Sequence, residues 1–409
     1  MRHLCSKGRT GGEKRRYGRE HQAPHPRRRG TRIALFALAG LVLVGAGLGG
    51  VAYWKLNGNI HSVDISGQLG TARPPASTGG AFNVLVLGSD SRSGANGGLA
   101  GGDTGDTARS DTAMVVHVNQ AHTAASVVSI PRDTLVPRPA CTGTDGKQVA
   151  AVRSAMFNSA YEVGGPACAV KTAEQLTGMR MDHFVEVDFA GFAALIDAIG
   201  GVDVTTTVPI DDRDSGLHLD AGTHHLGGDR ALAFVRTRHG VGDGSDLGRI
   251  ELQKEMVKAM LGQVGSLGLA SNPVAMWKLG DKLTNSLTTD SDLASVSALV
   301  GMAQTIKKIG PDQLTMVTLP VAYAVSDPNR VVPKAADAQQ PWAALRGDLA
   351  VPQAVLQDQP TNPAQTSPSD AATGTWSGTP SDTPSDGTAT PSGGAGASAR
   401  ATTVDGGAE

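Results

Sequence analysis

Apolar positions fall into short runs that alternate with helix-like patterns over the middle two thirds of the chain. The runs predict strands that start near Asn83, follow Asp111, and extend from Ala124 to Ile130. A spacing of three to four residues predicts helices over residues 189–199 and about 246–261. Strands that alternate with helices in this way favour an α/β layer architecture.

The helix predicted over residues 189–199 has recognisable ends. Asp188 can accept a hydrogen bond from a backbone N–H of the first turn, and the pair Gly200-Gly201 can stop the helix. Its buried face is expected to consist of Phe192, Leu195, Ile196 and Ile199.

A separate apolar segment lies near the N-terminus. Residues 33–54 carry no charge and are long enough, at about 1.5 Å per residue, to cross a hydrocarbon core of about 30 Å. A cleaved signal peptide is the alternative, although the apolar run is longer than a normal signal-peptide core. Arginines precede the segment, and Tyr53 and Trp54 close it. The positive-inside rule therefore predicts a single-pass anchor in the cell membrane, with the N-terminus cytoplasmic and the rest extracytoplasmic.

Composition separates the other segments. We predict a basic disordered cytoplasmic tail (1–32), the transmembrane helix (33–54), a flexible stalk (55–80), one extracytoplasmic domain (81–350) and a disordered Ser/Thr/Pro/Gly-rich tail (351–409). The formal net charge is −2 at pH 7, but the basic tail conceals an acidic extracytoplasmic part. An acidic surface does not suit a nucleic-acid partner, so none is expected.

The three cysteines divide by compartment. Cys5 lies on the cytoplasmic side and should stay reduced, whereas Cys141 and Cys168 lie outside and can form a disulfide. Such a bond would contribute about 3 to 4 kcal/mol in the chain-entropy description. Two unrelated thiols are the alternative.

A glycine-rich segment after residue 234 concentrates positive charge. It contains Arg236, Arg238 and Arg249, with Asp246 at the start of the second predicted helix. Guanidinium groups match phosphate oxygens with two hydrogen bonds, and glycines let backbone N–H groups approach the same anion. If the preceding helix ends near Val235, Arg236 and Arg238 can project to one side; two solvated surface arginines are the alternative. The segment predicts a polyphosphate site.

The same segment starts the helix predicted over about 246–261. Asp246 could cap this helix, and Arg249 and Gln253 lie four residues apart on one of its faces.

Charged residues also stand at the ends of the predicted strands. Asp90 and Arg92 follow the first strand, Asp111 starts the next, and Arg132 and Asp133 follow the strand that ends at Ile130. Strand ends and their loops are where α/β proteins usually build sites. We expect Asp133 to orient Arg132.

Two of these carboxylates suit a divalent cation. Mg²⁺ takes one or two carboxylates together with waters and phosphate oxygens, so Asp90 and Asp111 are the candidate ligands for Mg²⁺ or Mn²⁺. The alternative is that each aspartate caps a turn or pairs with Arg92 or Arg109.

Seven blocks in a fixed order carry a resemblance to a known family. They read GSDSR, ARSDT, SIPRDT, MFNSAYEVGG, HFVEVDFAGFAALIDAIGGVDV, ALAFVRTRH and DLGRIELQ. Their order resembles the LytR-CpsA-Psr (LCP) family of cell-envelope phosphotransferases over residues 81–264. Leu252 replaces a basic residue common in the family, which removes one phosphate contact that the family pattern would supply, and Phe234 stands where Tyr is common.

The resemblance implies a single LCP-like domain with a central mixed sheet flanked by helices. It also implies an enzyme that moves a glycopolymer from a polyprenyl-diphosphate carrier to a peptidoglycan hydroxyl, with the lipid in an apolar groove that includes the helix over residues 189–199. The residues implied as catalytic are Arg132, Arg236, Arg238 and Asp111. Those implied to bind substrate are Arg249, Gln253, Asp246, Asp133 and Arg92. A polyprenyl-diphosphate-sugar pyrophosphatase and a non-catalytic envelope regulator are the alternatives.

Overall fold

The computed structural model describes residues 28–89, 110–238, 246–267 and 272–359. Helices in these ranges are α1 (Arg28–Asn59), α2 (Ser66–Leu69), α3 (Phe157–Thr177), α4 (Phe189–Ala198), α5 (Gly228–Arg236), α6 (Asp246–Ser266), α7 (Pro273–Ser286), α8 (Val296–Ile306), α9 (Ala335–Arg346) and α10 (Gln353–Gln357). Strands are β1 (His61–Ser62), β2 (Phe82–Ser89), β3 (Ser110–Val118), β4 (Ala125–Ile130), β5 (Leu135–Arg138), β6 (Cys141–Thr142), β7 (Gln148–Val149), β8 (Val152–Met156), β9 (His183–Asp188), β10 (Val202–Thr206), β11 (Ile210–Asp212), β12 (Leu217–Leu219), β13 (Gly222–Leu226), β14 (Leu287–Thr289), β15 (Leu314–Thr318), β16 (Val321–Ala324) and β17 (Asp327–Pro333).

The largest sheet is mixed and lies at the centre of the fold. Its strands follow the order β1-β14-β9-β2-β3-β4-β15. The pairs β1/β14, β2/β9 and β4/β15 are parallel, and the remaining neighbours are antiparallel. The α/β architecture with a central mixed sheet flanked by helices is confirmed.

One face of this sheet carries the main hydrophobic core. Leu85, Val115 and Val128 are cross-strand neighbours on β2, β3 and β4, and all three are fully buried. Helix α3 covers them with Phe157 and its alanines, and Trp342 of α9 joins the same cluster. Because side chains alternate along a strand, the intervening residues point to the opposite face.

The opposite face is covered more thinly. Met114, Val127 and Met316 are buried there and are packed against a group of residues that are only partly buried. That group consists of Val86, Val116, Val257 and Leu314. Within the described residues, Val257 of α6 is the one helical member of this cluster, so the described part of the chain covers this apolar face incompletely.

Helices α4, α5 and α6 build a second core with the hairpins β10/β13 and β11/β12. The expected ends of α4 are confirmed, because Asp188 accepts a hydrogen bond of 2.6 Å from the backbone N–H of Gly191. Gly200 and Gly201 follow with φ of 85° and 88°, values that favour glycine. Ile196 and Ile199 are fully buried, while Phe192 packs against the cluster from a partly buried position.

The segment 55–80, expected to be a flexible stalk, is part of the folded domain. Helix α1 continues to Asn59, β1 joins the central sheet, and Ile65 and Leu69 belong to the main core. Arg73 donates to the buried carboxylate of Glu174 with a contact of 2.5 Å. The stalk prediction was wrong because the pairing partners of this Gly/Pro/Ser-rich segment lie more than one hundred residues away in the sequence.

The other boundaries also shift. Helix α1 is longer than the predicted span, and a stretch long and apolar enough to cross a membrane occupies Leu38–Asn59. Near the other end, Val351 and Val355 pack into the main core, so the domain extends past residue 350. The predicted tails at 1–27 and 360–409 lie outside the described residues.

The structure contains the disulfide between Cys141 and Cys168, with their Cα atoms 5.5 Å apart. It ties β6 to α3, and both cysteines are buried together with Ala160. Gly164 lies against this junction, because a Cβ atom there would come within 2.9 Å of the Cβ atom of Cys168.

The ion pair between Arg73 and Glu174 gives a test of how firmly residues 55–80 are attached. Replacing Arg73 with Ala leaves the carboxylate of Glu174 buried without its cation, and losing one partner of a buried pair costs about 3 to 5 kcal/mol. The free energy of unfolding, measured by urea titration, should fall by about that amount. The matched control is Lys147→Ala, which breaks the exposed pair with Asp145 and should leave stability unchanged. Equal effects from both variants would contradict the attachment.

Candidate active site

One edge of the central sheet collects most of the charged residues singled out by the sequence. Strands β2 and β9 run parallel and end there at Ser89 and Asp188, which are paired in register. Strand β3 runs the other way and begins at this edge, and β4 ends there. The residues at these strand ends are therefore brought together, although they are far apart in sequence.

Asp111 and Arg132 form the closest charged contact at this edge. Asp111 is the second residue of β3, and Arg132 follows β4 by two residues. The Nη1 atom of Arg132 donates to the Oδ1 atom of Asp111 at 2.5 Å. The Nε atom of the same guanidinium lies 3.4 Å from Oδ2 of Asp133, which is an ion-pair distance.

The surroundings of Asp111 set its ionisation. Burial raises the pKa of this carboxyl, but the nearby charge of Arg132 and Arg249, the hydrogen bond from Arg132 and the charge of Arg238 outweigh burial. The pKa is held below the ordinary value of 3.8. Asp111 is thus ionised at neutral pH and is held by cations that come from three separate parts of the chain.

Helix α6 brings Arg249 to the same place. Arg249 is 4% exposed, and its Nη2 atom donates to the backbone carbonyl of Asp111 at 3.0 Å. Gln253, one turn further along the helix, donates to the carbonyl of Val235 at 3.3 Å, next to the arginine-rich segment. Gln253 therefore joins α6 to α5, a contact that was not predicted.

The pair Arg236 and Arg238 lies where α5 ends. Helix α5 stops at Arg236, and Thr237 is extended, so the helical path does not continue through Arg238. The guanidinium of Arg236 lies 5.0 Å from the centre of the Phe189 ring at the start of α4. Arg238 instead lines a cavity with Arg132. The two arginines thus flank the edge beside different neighbours.

A buried carboxylate fixes the backbone between these arginines. Asp212, at the end of β11, is 1% exposed and accepts from the backbone N–H of Arg238 at 2.7 Å through Oδ2. Its Oδ1 atom accepts from the backbone of Asp214, while the hydroxyls of Ser215 and Thr237 are 2.9 Å apart. The hairpin β11/β12 therefore holds the Arg-Thr-Arg segment in place.

The cavity beside Arg132 has a volume of about 410 Å³. Arg132, Asp133 and Arg238 form one side of it, and the hairpin β16/β17 contributes Tyr323 and Arg330. The Nη1 atom of Arg330 lies 3.6 Å from Oδ1 of Asp133. Asp133 therefore bridges two arginines at the cavity wall.

Several residues that shape this edge were not selected from the sequence. Asp212 lies between two of the seven blocks and Arg330 lies well beyond them, so only the chain path brings either of them here. Glu186 on β9 is a third example, because it accepts from the Tyr161 hydroxyl at 2.6 Å. Burial raises the pKa of Glu186, hydrogen bonds from Tyr161 and Ser89 oppose this, and the charge of Asp188 adds to the rise.

Some predicted site residues cannot be placed. Asp90 and Arg92 lie outside the described residues, and Asp246 is described only as the first residue of α6, without its side chain. Within the described part of the chain, no group of three or more His, Cys, Asp and Glu side chains could hold a metal ion. Of the two proposed metal ligands, Asp111 is described by the structure, whereas Asp90 is not.

Several known proteins resemble this chain in sequence and in fold. The LytR_cpsA_psr family pattern matches residues 52–346. The chain is 32% identical over 325 residues to the cell wall biosynthesis protein LcpA of Corynebacterium glutamicum, covering 73% of this chain and 61% of LcpA. It is 30% identical over 298 residues to the polyisoprenyl-teichoic acid--peptidoglycan teichoic acid transferase TagT of Bacillus subtilis, covering 70% and 85%. A solved LytR-Csp2A-Psr enzyme from Actinomyces oris superposes with a TM-score of 0.52 at 25% identity, covering 70% of this chain and 95% of that one. The chain thus spans less than two thirds of the length of LcpA.

The contact between Arg132 and Asp111 predicts a pH-dependent stability. Because the folded pKa of Asp111 lies below 3.8, its stabilising contribution is complete above that value and is lost as the pH falls through the lowered pKa. Arg132→Gln should therefore destabilise the protein more at about pH 7 than at about pH 2.5. Urea titrations followed by the fluorescence of buried Trp342 measure the difference, with the exposed Arg153→Gln as control. A penalty independent of pH would show that the ionised form of Asp111 is not what Arg132 stabilises.

Proposed function

This chain belongs to the LytR-CpsA-Psr family, and on that premise we propose that it transfers a glycopolymer from a polyprenyl-diphosphate carrier to a hydroxyl of peptidoglycan. The observation that carries the proposal is the cluster of Arg132, Arg238 and Arg249 around Asp111. Three guanidinium groups and one carboxylate leave an excess of positive charge, which suits a diphosphate. TagT is named for a transfer from a polyisoprenyl carrier to peptidoglycan, which supports this substrate class.

A membrane-anchored donor requires an enzyme beside the membrane. The apolar stretch Leu38–Asn59 of α1 supports a single-pass anchor. With the basic residues before it on the cytoplasmic side, the domain would be extracytoplasmic, where peptidoglycan lies.

The proposed reaction is a substitution at phosphorus. The acceptor hydroxyl oxygen attacks the phosphorus atom that bears the sugar, and the bond from that phosphorus to the bridging oxygen breaks. Polyprenyl phosphate leaves, and the hydroxyl proton passes to a base. The diphosphate carries its own leaving group, so the protein supplies positioning and charge stabilisation and needs no nucleotide.

The arginines would act on the charge that develops during this substitution. Hydrogen bonds orient the guanidinium groups of Arg132 and Arg249, and Asp212 holds the backbone of Arg238, so these arginines can bind phosphate oxygens with little reorganisation. The guanidinium of Arg236 lies over the ring of Phe189, an apolar neighbour at the charged edge. It is suited to the phosphate nearer the lipid.

Asp111 is better suited to bind a metal cation than to act as a general base. Its lowered pKa makes it a weak base, while an ionised carboxylate is a ligand type that Mg²⁺ or Mn²⁺ prefers. Asp111 and Asp90 would hold the ion. When bound, the ion would neutralise diphosphate oxygens.

The thinly covered face of the sheet could accommodate the lipid. Met114 lies three residues after Asp111 on β3, a distance of about 10 Å along a strand. From there the apolar row continues through Val116 and Val127 under α6. A polyprenyl chain on this face would place its diphosphate at the arginine cluster.

The cavity of about 410 Å³ would then receive the acceptor. It opens beside Arg132 and Arg238, and its outer wall is the hairpin β16/β17. Tyr323 there is 57% exposed and offers an aromatic face with a polar tip, which suits a sugar ring.

The direct experiment separates transfer from hydrolysis. The full-length protein is incubated with a lipid-diphosphate sugar, peptidoglycan oligomers and Mg²⁺, and the products are identified by mass spectrometry. We expect a phosphodiester-linked glycan and polyprenyl phosphate, both lost when EDTA removes the metal. Free sugar phosphate without a linked glycan would instead indicate a pyrophosphatase, and no turnover would indicate a regulator. Asp111→Asn should need more Mg²⁺ than wild type, whereas the exposed control Asp145→Asn should not.

The role of the cluster can be tested at Arg238. Because its backbone is held by Asp212 and its side chain lines the cavity, Arg238→Ala should leave the fold intact. Loss of one preorganised donor should lower turnover by about 10²-fold. Arg238→Lys should recover only part of this, because ammonium keeps the charge and loses the paired donors. Arg153→Ala is the surface control, and wild-type turnover in both Arg238 variants would remove the cluster from the mechanism.

A further inference from the structure

The first turns of α7 expose large apolar side chains. Val274 is 64% exposed and Met276 is 56% exposed, and Trp277 next to them is only half-buried. A soluble domain gains nothing from such a helix end in water. The position of α7 relative to α1 indicates what covers it.

Helices α1 and α7 lie side by side in the same direction. The Nζ atom of Lys55 is 3.6 Å from Oδ1 of Asp281, and the side chain of Asn59 lies 3.4 Å from the Thr284 hydroxyl. The Nζ atom of Lys55 also lies 5.7 Å from the centre of the Trp277 ring, and Leu56 lies against Gly280. Contacts that advance along α1 therefore advance along α7 as well.

The strands that follow confirm this direction. Helix α1 leads into β1 and α7 leads into β14, and the two strands pair in parallel with His61 opposite Thr288. Helices α1 and α7 therefore start on the same side of the domain. This is the side on which the apolar stretch of α1 lies.

The contact of Lys55 with Asp281 fixes the position of the first turn of α7 relative to the residues of α1. Val274 precedes Asp281 by seven residues, so it lies about 10 Å nearer the starting side. That places it level with about residues 48–52 of α1, inside the apolar stretch that Tyr53 and Trp54 close.

We propose that the first two turns of α7 insert into the outer lipid surface of the membrane, with Val274 and Met276 among the acyl chains. This inference rests on the proposed membrane anchor. The depth of about 10 Å for Val274 is comparable with the roughly 5 to 10 Å to which interfacial helices bury apolar side chains, although α7 enters end-on beside α1 and does not lie flat. Lys278, exposed one turn later, and Lys55 then lie at headgroup level, where their ammonium groups can reach lipid phosphates.

The insertion would set the height of the active site. Helix α7 has 14 residues, a length of about 21 Å. Its last residue, Ser286, lies against Gly191, and the next residue, Leu287, pairs with Val187 of β9. Helix α7 therefore acts as a rigid spacer between the lipid surface and the sheet edge at Phe189 and Arg236.

The test measures depth with nitroxide labels on the full-length protein. In a Cys5→Ser background, the other two cysteines are joined in the disulfide, so single cysteines at Val274 and Met276 can be labelled. Leu349 is the matched control, because it is 65% exposed and follows Asp348, which bonds to His117 near the end of β3 opposite the active edge. Val44 on α1, 63% exposed, marks the membrane span.

The protein is reconstituted in vesicles of equal parts phosphatidylglycerol and phosphatidylcholine, and each label is exposed to oxygen and to a water-soluble nickel complex. Labels at 274 and 276 should show an oxygen-to-nickel accessibility ratio several-fold above that of the label at 349 and below that of the label at 44, which lies deeper in the membrane. If the label at 44 is embedded while those at 274 and 276 match 349, the inference fails and the anchor stands. If the label at 44 is also in water, the anchor and the inference fail together, while the product assay above still decides the transferase chemistry.

Discussion

The attraction between Asp111 and the surrounding guanidinium groups is the interaction on which the site depends. Arg132 reaches the carboxylate from the loop after β4, and Arg249 reaches the backbone carbonyl of the same residue from α6. Each arginine would be repelled by the others without the negative charge at the centre. Asp111 thus allows several cationic side chains to stay close together at this edge.

This arrangement requires α6 to be fixed against the sheet. A buried pair achieves that, since Glu251 accepts from Lys254 at 2.8 Å and from the Thr318 hydroxyl of β15 at 3.1 Å. Burial lowers the pKa of Lys254, the charge and hydrogen bond of Glu251 oppose this, and the charge of Lys258 adds to the lowering. The pair thus joins α6 to the neighbour of β4, so Arg249 and Arg132 are carried by one connected layer.

The same edge of the sheet is connected to the apolar stretch of α1. Helix α4 follows β9 at this edge, packs against α7, and places Phe189 beside Arg236. Helix α7 packs in turn against α1 through Asp281 and Thr284. A continuous series of contacts therefore runs from the apolar stretch of α1 to the arginine cluster, as the proposed transfer from a lipid carrier would require.

The sequence by itself determined the features that depend on local pattern. Alternation and charge defined the strands, the α4 helix with its Asp188 cap, the apolar stretch near the N-terminus, and most of the charged residues at the edge. Only the tertiary structure decided how distant segments meet. The backbone of residues 55–80 looks like a linker because its partners, such as Glu174 and Thr288, are contributed by remote elements. Asp212 and Arg330 reach the edge through hairpins whose packing no local pattern encodes, since contact across a fold depends on the path of the whole chain.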